Sequence, residues 1–187
     1  GEYYLLERNP GYWGAGQPKL DSIVFRVLPD RAAAAGALEA GEIHLAAFSQ
    51  VPLSDLGRIS KVEGLTVHTK GYEGLTYQLG VEINHRRKEL ADLAVRRAIA
   101  HAIDRDFVVR TIFLGHAEAS TGIVPRNAPE FYEPDVETYP FDVARANALL
   151  DEAGYPRGAN GVRFSLRLLP SPYFTETRQF GDYLRQA

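Results

Sequence analysis

The side chains of this chain that could do chemistry are scattered rather than grouped. Its five histidines are His44, His68, His85, His101 and His116. There is no His-Glu-x-x-His and no pair four apart on a helix, the spacing that lets two imidazoles hold one metal ion. Cysteine is absent, which removes thiolate nucleophiles, thiolate metal sites and disulfides together. None of Ser22, Ser49, Ser54, Ser60, Ser120, Ser165 and Ser171 sits in a Gly-x-Ser-x-Gly elbow. The glycines of "GYWGAG" are spaced somewhat like a phosphate cradle, but the stretch does not lead from a clear strand into a helix and carries no P-loop lysine. Two carboxylate pairs, Asp104 with Asp106 and Asp151 with Glu152, fall at helix ends, where capping and solvation account for them. No catalytic residue, metal site or cofactor is therefore expected. What remains is aromatic: 10 Tyr, 9 Phe and one Trp, many at strand ends and turns. Tyrosine joins an apolar ring to a hydroxyl, which suits a ligand cleft, although packing is the commoner role for any single one.

The elements that would position such residues are those of an ordinary globular chain. With 187 residues, 45% hydrophobic and 24% charged, it can bury one or two cores, which excludes a disordered reading. A net charge of −3 offers no basic field, so no nucleic-acid partner is expected. No apolar run approaches the roughly 18 residues of a membrane span. A first residue Gly1 with no Met anywhere leads to the expectation of an internal piece or a processed product.

The pattern predicts a strand in "EYYLLER", then a turn in "RNPGYW", with Pro10 and Gly11 bending the chain and Tyr12 and Trp13 covering the sheet edge. "DSIVFRVLP" reads as a mostly buried strand stopped by Pro29. Asp30 caps an Ala-rich helix that Gly41 ends, and "EIHLAAF" resumes as a strand, giving a strand, helix, strand unit. "VPLSDLGRIS" is a short helix or turn, "LTVHTKGY" and "LTYQLGVEIN" are strands, and "HRRKEL" is a loop. Asp92 caps a helix with Val95, Ile99, Ala102 and Ile103 as its stripe. Asp104 caps a second helix, which carries Phe107, Val108 and Ile112 to a stop at Gly115. Asp142 caps a third, with Val143, Ala146, Leu149, Leu150 and Ala153 inward and Gly154 as its stop. "GVRFSLRLLP" alternates as a strand, and "TETRQFGDYLRQA" closes the chain as a helix with Phe180, Tyr183 and Leu184 on one stripe.

In this order and spacing, "NPGYW", "AGEIHLA", "AVRRAIAHAIDR" and "ALLDEAGYP" together resemble the solute-binding proteins of ABC importers, family five, the peptide, dipeptide and nickel class. Two positions depart from the usual pattern. His44 stands where the Gly-Glu-Ile-Asp block has Asp, and "RKEL" replaces Pro-Pro-Phe before the helix at Asp92. The resemblance implies an α/β chain forming part of a two-lobed, periplasmic-binding-protein-like (type II) fold, with mixed sheets and flanking helices. Residues 1–76 would be part of the first lobe, 77–89 the hinge strand and loop, and 90–187 the N-terminal half of the second lobe. It further implies a non-enzymatic protein, monomeric, periplasmic or lipid-anchored at the outer face of the cytoplasmic membrane. Such a protein would capture an oligopeptide, dipeptide or other small solute and deliver it to the ABC permease transmembrane subunits. Phe48, Ser49, Gln50, Tyr72 and Tyr77 are the positions expected to line its cleft. The alternative is a ligand-sensing domain of a transcriptional regulator with the same fold.

Overall fold

Four aspartates set where helices begin. In each, a side-chain oxygen accepts a 2.8 Å hydrogen bond from a first-turn amide: Asp30 from Ala33, Asp92 from Ala94, Asp104 from Phe107 and Asp142 from Arg145. Each bond satisfies a donor that a helix leaves without an internal partner. The computed structural model of the chain describes residues 2–48, 50–70 and 77–187. These divide into two compact units, Gly1–His68 and Thr69–Ala187.

The first unit opens on an antiparallel ribbon of β1 (Tyr3–Glu7) and β2 (Ser22–Arg26), in the register Tyr3 opposite Arg26 and Leu5 opposite Val24. The connection carries a cis Gln17–Pro18 peptide and is closed by Arg8, which pairs with Asp21 at 3.0 Å and donates to the Lys19 carbonyl. Every residue of both strands is exposed, so the expectation of a mostly buried second strand fails. Neither ribbon face packs on a second layer among the described residues. Tyr12 and Trp13 meet at a tilt of 37°, with centroids 5.2 Å apart, and Trp13 is 87% exposed rather than laid over the sheet edge.

After Asp30 comes α1 (Arg31–Glu39), then α2 (Leu53–Ile59). The amide of Glu42 bonds the Ala37 carbonyl and that of Gly41 the Leu38 carbonyl, with Gly41 at φ +71°. That closure needs a left-handed residue, which glycine supplies without a Cβ clash. The small core of this unit joins Ala35, Val51 and Ile59, with Leu38, Ala46, Leu56 and Leu65 around it. Residues 43–48 form no strand, so the expected strand, helix, strand unit lacks its second strand. The Glu42 and Ile43 amides are both spent on the Ala37 carbonyl at the helix end.

The second unit is helical. A single turn, α3 (Lys88–Ala91), stands where a loop was expected and leads into α4 (Leu93–Ala102). Next, α5 (Arg105–Phe107) passes directly into a π-helical turn, Val108–Ile112. That turn ends on two successive left-handed residues, Leu114 and Gly115. Further on lie α6 (Val143–Glu152) and α7 (Thr175–Gln186). The end of α6 repeats the closure of α1, Tyr155 bonding to Leu150 and Gly154 to Asp151. Ala98, Ala146 and Leu149 form one core where α4 meets α6, small side chains letting the two backbones approach. Val108, Ile112 and Phe180 form another, with Leu79, Ile103, Phe113, Tyr183 and Leu184 against it. Residues 162–169 form no strand, and neither do the described parts of "LTVHTKGY" and "LTYQLGVEIN". A strand is a property of a pair, and no ladder partner stands beside these stretches among the described residues.

Because the Asp142 carboxylate supplies its bond to a helix that carries a core face, Asp142→Ala should lower the unfolding free energy of the full-length protein carrying this chain by about 1 kcal/mol. Chemical denaturation measures it, and Asp142→Asn, which keeps a capping oxygen, should retain most of the parent's stability.

Candidate functional site

The grouping that most resembles a reaction centre lies on the outer side of α4. Arg97 Nη2 donates to both Glu137 carboxylate oxygens, at 3.1 and 2.9 Å, and the Tyr139 hydroxyl donates to Oε2 at 2.8 Å. His101 Nδ1 lies 2.7 Å from the Pro140 carbonyl and meets the Tyr139 ring edge-on, and Arg105 donates to the Tyr139 carbonyl at 2.9 Å. These bonds fasten residues 137–140 to α4 and α5, and the side chains of Arg97 and Glu137 are partly open to solvent. The arrangement is a strap. A second cluster works the same way: Arg163, its side chain 10% exposed, donates to Asp151, to the Tyr155 carbonyl and to Asn147 Oδ1, while Arg157 reaches the same Asn147 oxygen at 3.0 Å. These bonds dock the chain after α6 back onto it. Asp151 is held below the usual carboxylate range by the Arg163 hydrogen bond. Among the described residues no group of three or more His, Asp or Glu could hold a metal ion.

The residues expected to line a cleft fare differently from one another. Ser49 and Tyr72 lie outside the described residues. In the first unit Phe48 is 62% exposed on a backbone at φ +56°, the left-handed region that a bulky side chain rarely adopts, and Gln50 beside it is exposed. In the second unit Tyr77 is 60% exposed and packs edge-on against Phe174, centroids 5.3 Å apart at 70°, a favoured aromatic geometry. Gln78, next to it, reaches the Gly122 carbonyl at 3.5 Å, and Leu79 points into the core that holds the π-helical turn against α7. The stretch 77–79 thus alternates between a displayed ring and a half-buried anchor.

Sequence reasoning passed over Phe174, which meets the Tyr77 ring, and Thr177, whose hydroxyl donates to the Phe174 carbonyl at 2.7 Å. Phe174 caps α7 without a side-chain acceptor, and Thr177 is buried at 3% exposure beneath it. The one available signal was "SPYFTET", an aromatic pair between a proline and a helix start. A third feature, an open depression of about 640 Å³ on the ribbon, is lined by Glu2, Tyr3, Leu5, Val24, Arg26 and Val27. It is a sheet face rather than an enclosed pocket.

The chain has counterparts among solved structures. It superposes on the periplasmic binding protein DppA of Helicobacter pylori, solved with the peptide STSA, at TM-score 0.68 and 29% identity, covering 84% of this chain and 29% of that one. It also superposes on NikA of Brucella suis, solved with Fe(III)-EDTA, at TM-score 0.66 and 30% identity, over 86% of this chain and 32% of that one. The fold class is therefore α/β, part of the two-lobed type II periplasmic-binding-protein fold. The chain belongs to the bacterial extracellular solute-binding proteins, family 5 (middle), whose model matches residues 1–187. It is 32% identical over 164 residues to the glutathione-binding protein GsiB of Salmonella choleraesuis, which is 88% of this chain and 31% of that relative. The chain thus spans about a third of the length of the curated relatives it matches. No helix among the described residues is long and apolar enough to cross a membrane.

The strap gives a pH test. The Tyr139 hydroxyl, then the Arg97 guanidinium, hold the Glu137 carboxyl below its ordinary range. A carboxylate lowered on folding contributes stability above its unfolded value and loses that contribution as pH falls through the folded one. Between about pH 5 and about pH 3 the melting temperature should therefore fall more steeply for the parent than for Glu137→Gln. Parallel curves in a thermal melt series would contradict the strap.

Proposed function

We propose that this chain is the ligand-capturing part of the substrate-binding component of an ABC importer, taking up peptides or similar small solutes outside the cytoplasm. The observation that carries the reading is the family match along all 187 residues, joined to relatives whose names record binding of glutathione, a peptide and a metal chelate. Residues 1–76 belong in this reading to the first lobe, 77–89 to the hinge and 90–187 to the second lobe. The lobes close because the ligand makes more contacts in the closed state, and the closed form is what the permease subunits engage. Tyr77, Phe48 and Gln50 contribute to the cleft together with Ser49 and Tyr72. Exposed aromatic and amide side chains support this, since they stack on and hydrogen-bond to a solute without reacting with it.

No chemical step is needed. The relatives are binding proteins, and the clustered polar groups described above are engaged in fastening loops to helices. The protein acts in the periplasm or tethered at the outer face of the membrane, as a monomer. The regulator alternative draws no support from the relatives matched.

The test is thermal stabilisation of the full-length protein by glutathione, di- and oligopeptides, nickel chelates and oligosaccharides. A ligand at a hundred times its dissociation constant stabilises a folded protein by about 2.7 kcal/mol, a shift easily read in a melt. At least one peptide or peptide-like solute should raise the melting temperature. A flat response across all four classes would overturn the reading.

A further inference from the structure

Five asparagines occur in the chain, and one of them is placed to react with its own backbone. An asparagine loses its side-chain amide when the nitrogen of the next residue attacks the side-chain carbonyl carbon, which requires an N–H there and little bulk beside it. Asn9 precedes Pro10, which has no N–H, and Asn84 and Asn127 precede His85 and Ala128, whose side chains crowd the attack. Asn147 lies inside α6, its side-chain nitrogen donating to the Val143 carbonyl at 2.8 Å and its oxygen accepting from Arg157 and Arg163. Asn160 alone precedes a glycine, Gly161, and both residues are exposed.

The turn that carries them holds both reacting groups. Asn160 Oδ1 accepts the Val162 amide at 3.1 Å, closing a side-chain turn that includes the Gly161 nitrogen. Gly161, at φ +78°, donates its N–H to the Gly158 carbonyl at 2.8 Å, and Gly158 donates to the Val162 carbonyl at 3.0 Å. An amide must give up its proton to attack, so one whose proton is held in this way is a poor nucleophile. Arg157 clamps the same turn, reaching the Gly161 carbonyl at 3.3 Å and Asn147 of α6 at 3.0 Å. We propose that Asn160 is a self-modification site, deamidating through a cyclic imide with Gly161 at a rate set by opening of the 158–162 turn, with Arg157 as the positioning residue that keeps the turn closed. The Gly161 nitrogen bonds to Asn160 Cγ, the Cγ–Nδ2 bond breaks, and the amide proton leaves with Nδ2 as ammonia. Water then opens the imide at either carbonyl, giving aspartate or isoaspartate and one added negative charge. Aspartate keeps the oxygen that accepts the Val162 amide. Isoaspartate routes the main chain through Cβ, which undoes the turn and loosens the lacing of residues 157–163 onto α6. This chemistry is independent of which solute the protein takes up.

The experiment incubates the full-length protein in mildly alkaline buffer, folded and in denaturing urea, for the parent and Arg157→Ala. Peptide mass spectrometry follows each asparagine of this chain, with isoaspartate quantified separately, and hydrogen exchange follows the Gly161 amide. Asn160 should convert before the other four in both states, and about tenfold more slowly when folded, because the reaction waits for the turn to open. Arg157→Ala should quicken the folded rate about threefold, speed Gly161 exchange by the same factor and leave the denatured rate unchanged. Equal folded and denatured rates, no conversion in the folded protein over many half-lives of the denatured reaction, or a folded rate unmoved by Arg157→Ala would overturn the gated site. Another asparagine of this chain converting first, or aspartate formed without isoaspartate, would overturn the imide step.

Discussion

The burial of Phe180 between Val108 and Ile112 is the contact on which the second unit's surface depends. Removing such a ring from a core costs about 3–5 kcal/mol, so α7 has one seat and little freedom to leave it. Leu79 packs into the same cluster, which brings the stretch 77–79 to the helix that carries Phe174 at its start. The edge contact of Tyr77 with Phe174 follows from that shared anchor. Apolar packing below and aromatic display above are thus two sides of one arrangement, and the π-helical turn supplies the broad face that α7 lies on.

Much of the helical structure was legible because its signals are local. Asp30, Asp92, Asp104 and Asp142 all cap as the sequence indicates, and Gly41 and Gly154 take the left-handed conformation that ends their helices. The stripe of Phe180, Tyr183 and Leu184 also lies inward. What could not be read was the wider geometry of the second helix after Asp104, since an α-turn and a π-turn share the same apolar spacing over so few residues.

Strands were less legible for a physical reason. Alternation in "GVRFSLRLLP" states which face would be apolar, but a strand exists only with a partner, and Val162, Leu166 and Leu168 remain about half exposed. The first ribbon was readable because both of its strands lie within the same 25 residues and close on each other through one hairpin. The surface around Tyr77 was half legible. Family position pointed to Tyr77, yet Phe174 and Thr177 lie about a hundred residues away and join it only through tertiary packing, which no local pattern encodes. His101 and Asp104 show the converse. Their types suggested chemistry, and their bonds to the Pro140 carbonyl and the Phe107 amide show them holding structure.

In the proposed importer role the exposed Tyr77 faces a solute. Amide hydrogen exchange of the full-length protein, with and without a saturating ligand, reads it residue by residue. Ligand should slow exchange at residues 77–79 while leaving the α4 and α6 amides unchanged. Slowing confined to other parts of the protein, with this stretch unaffected, would contradict it.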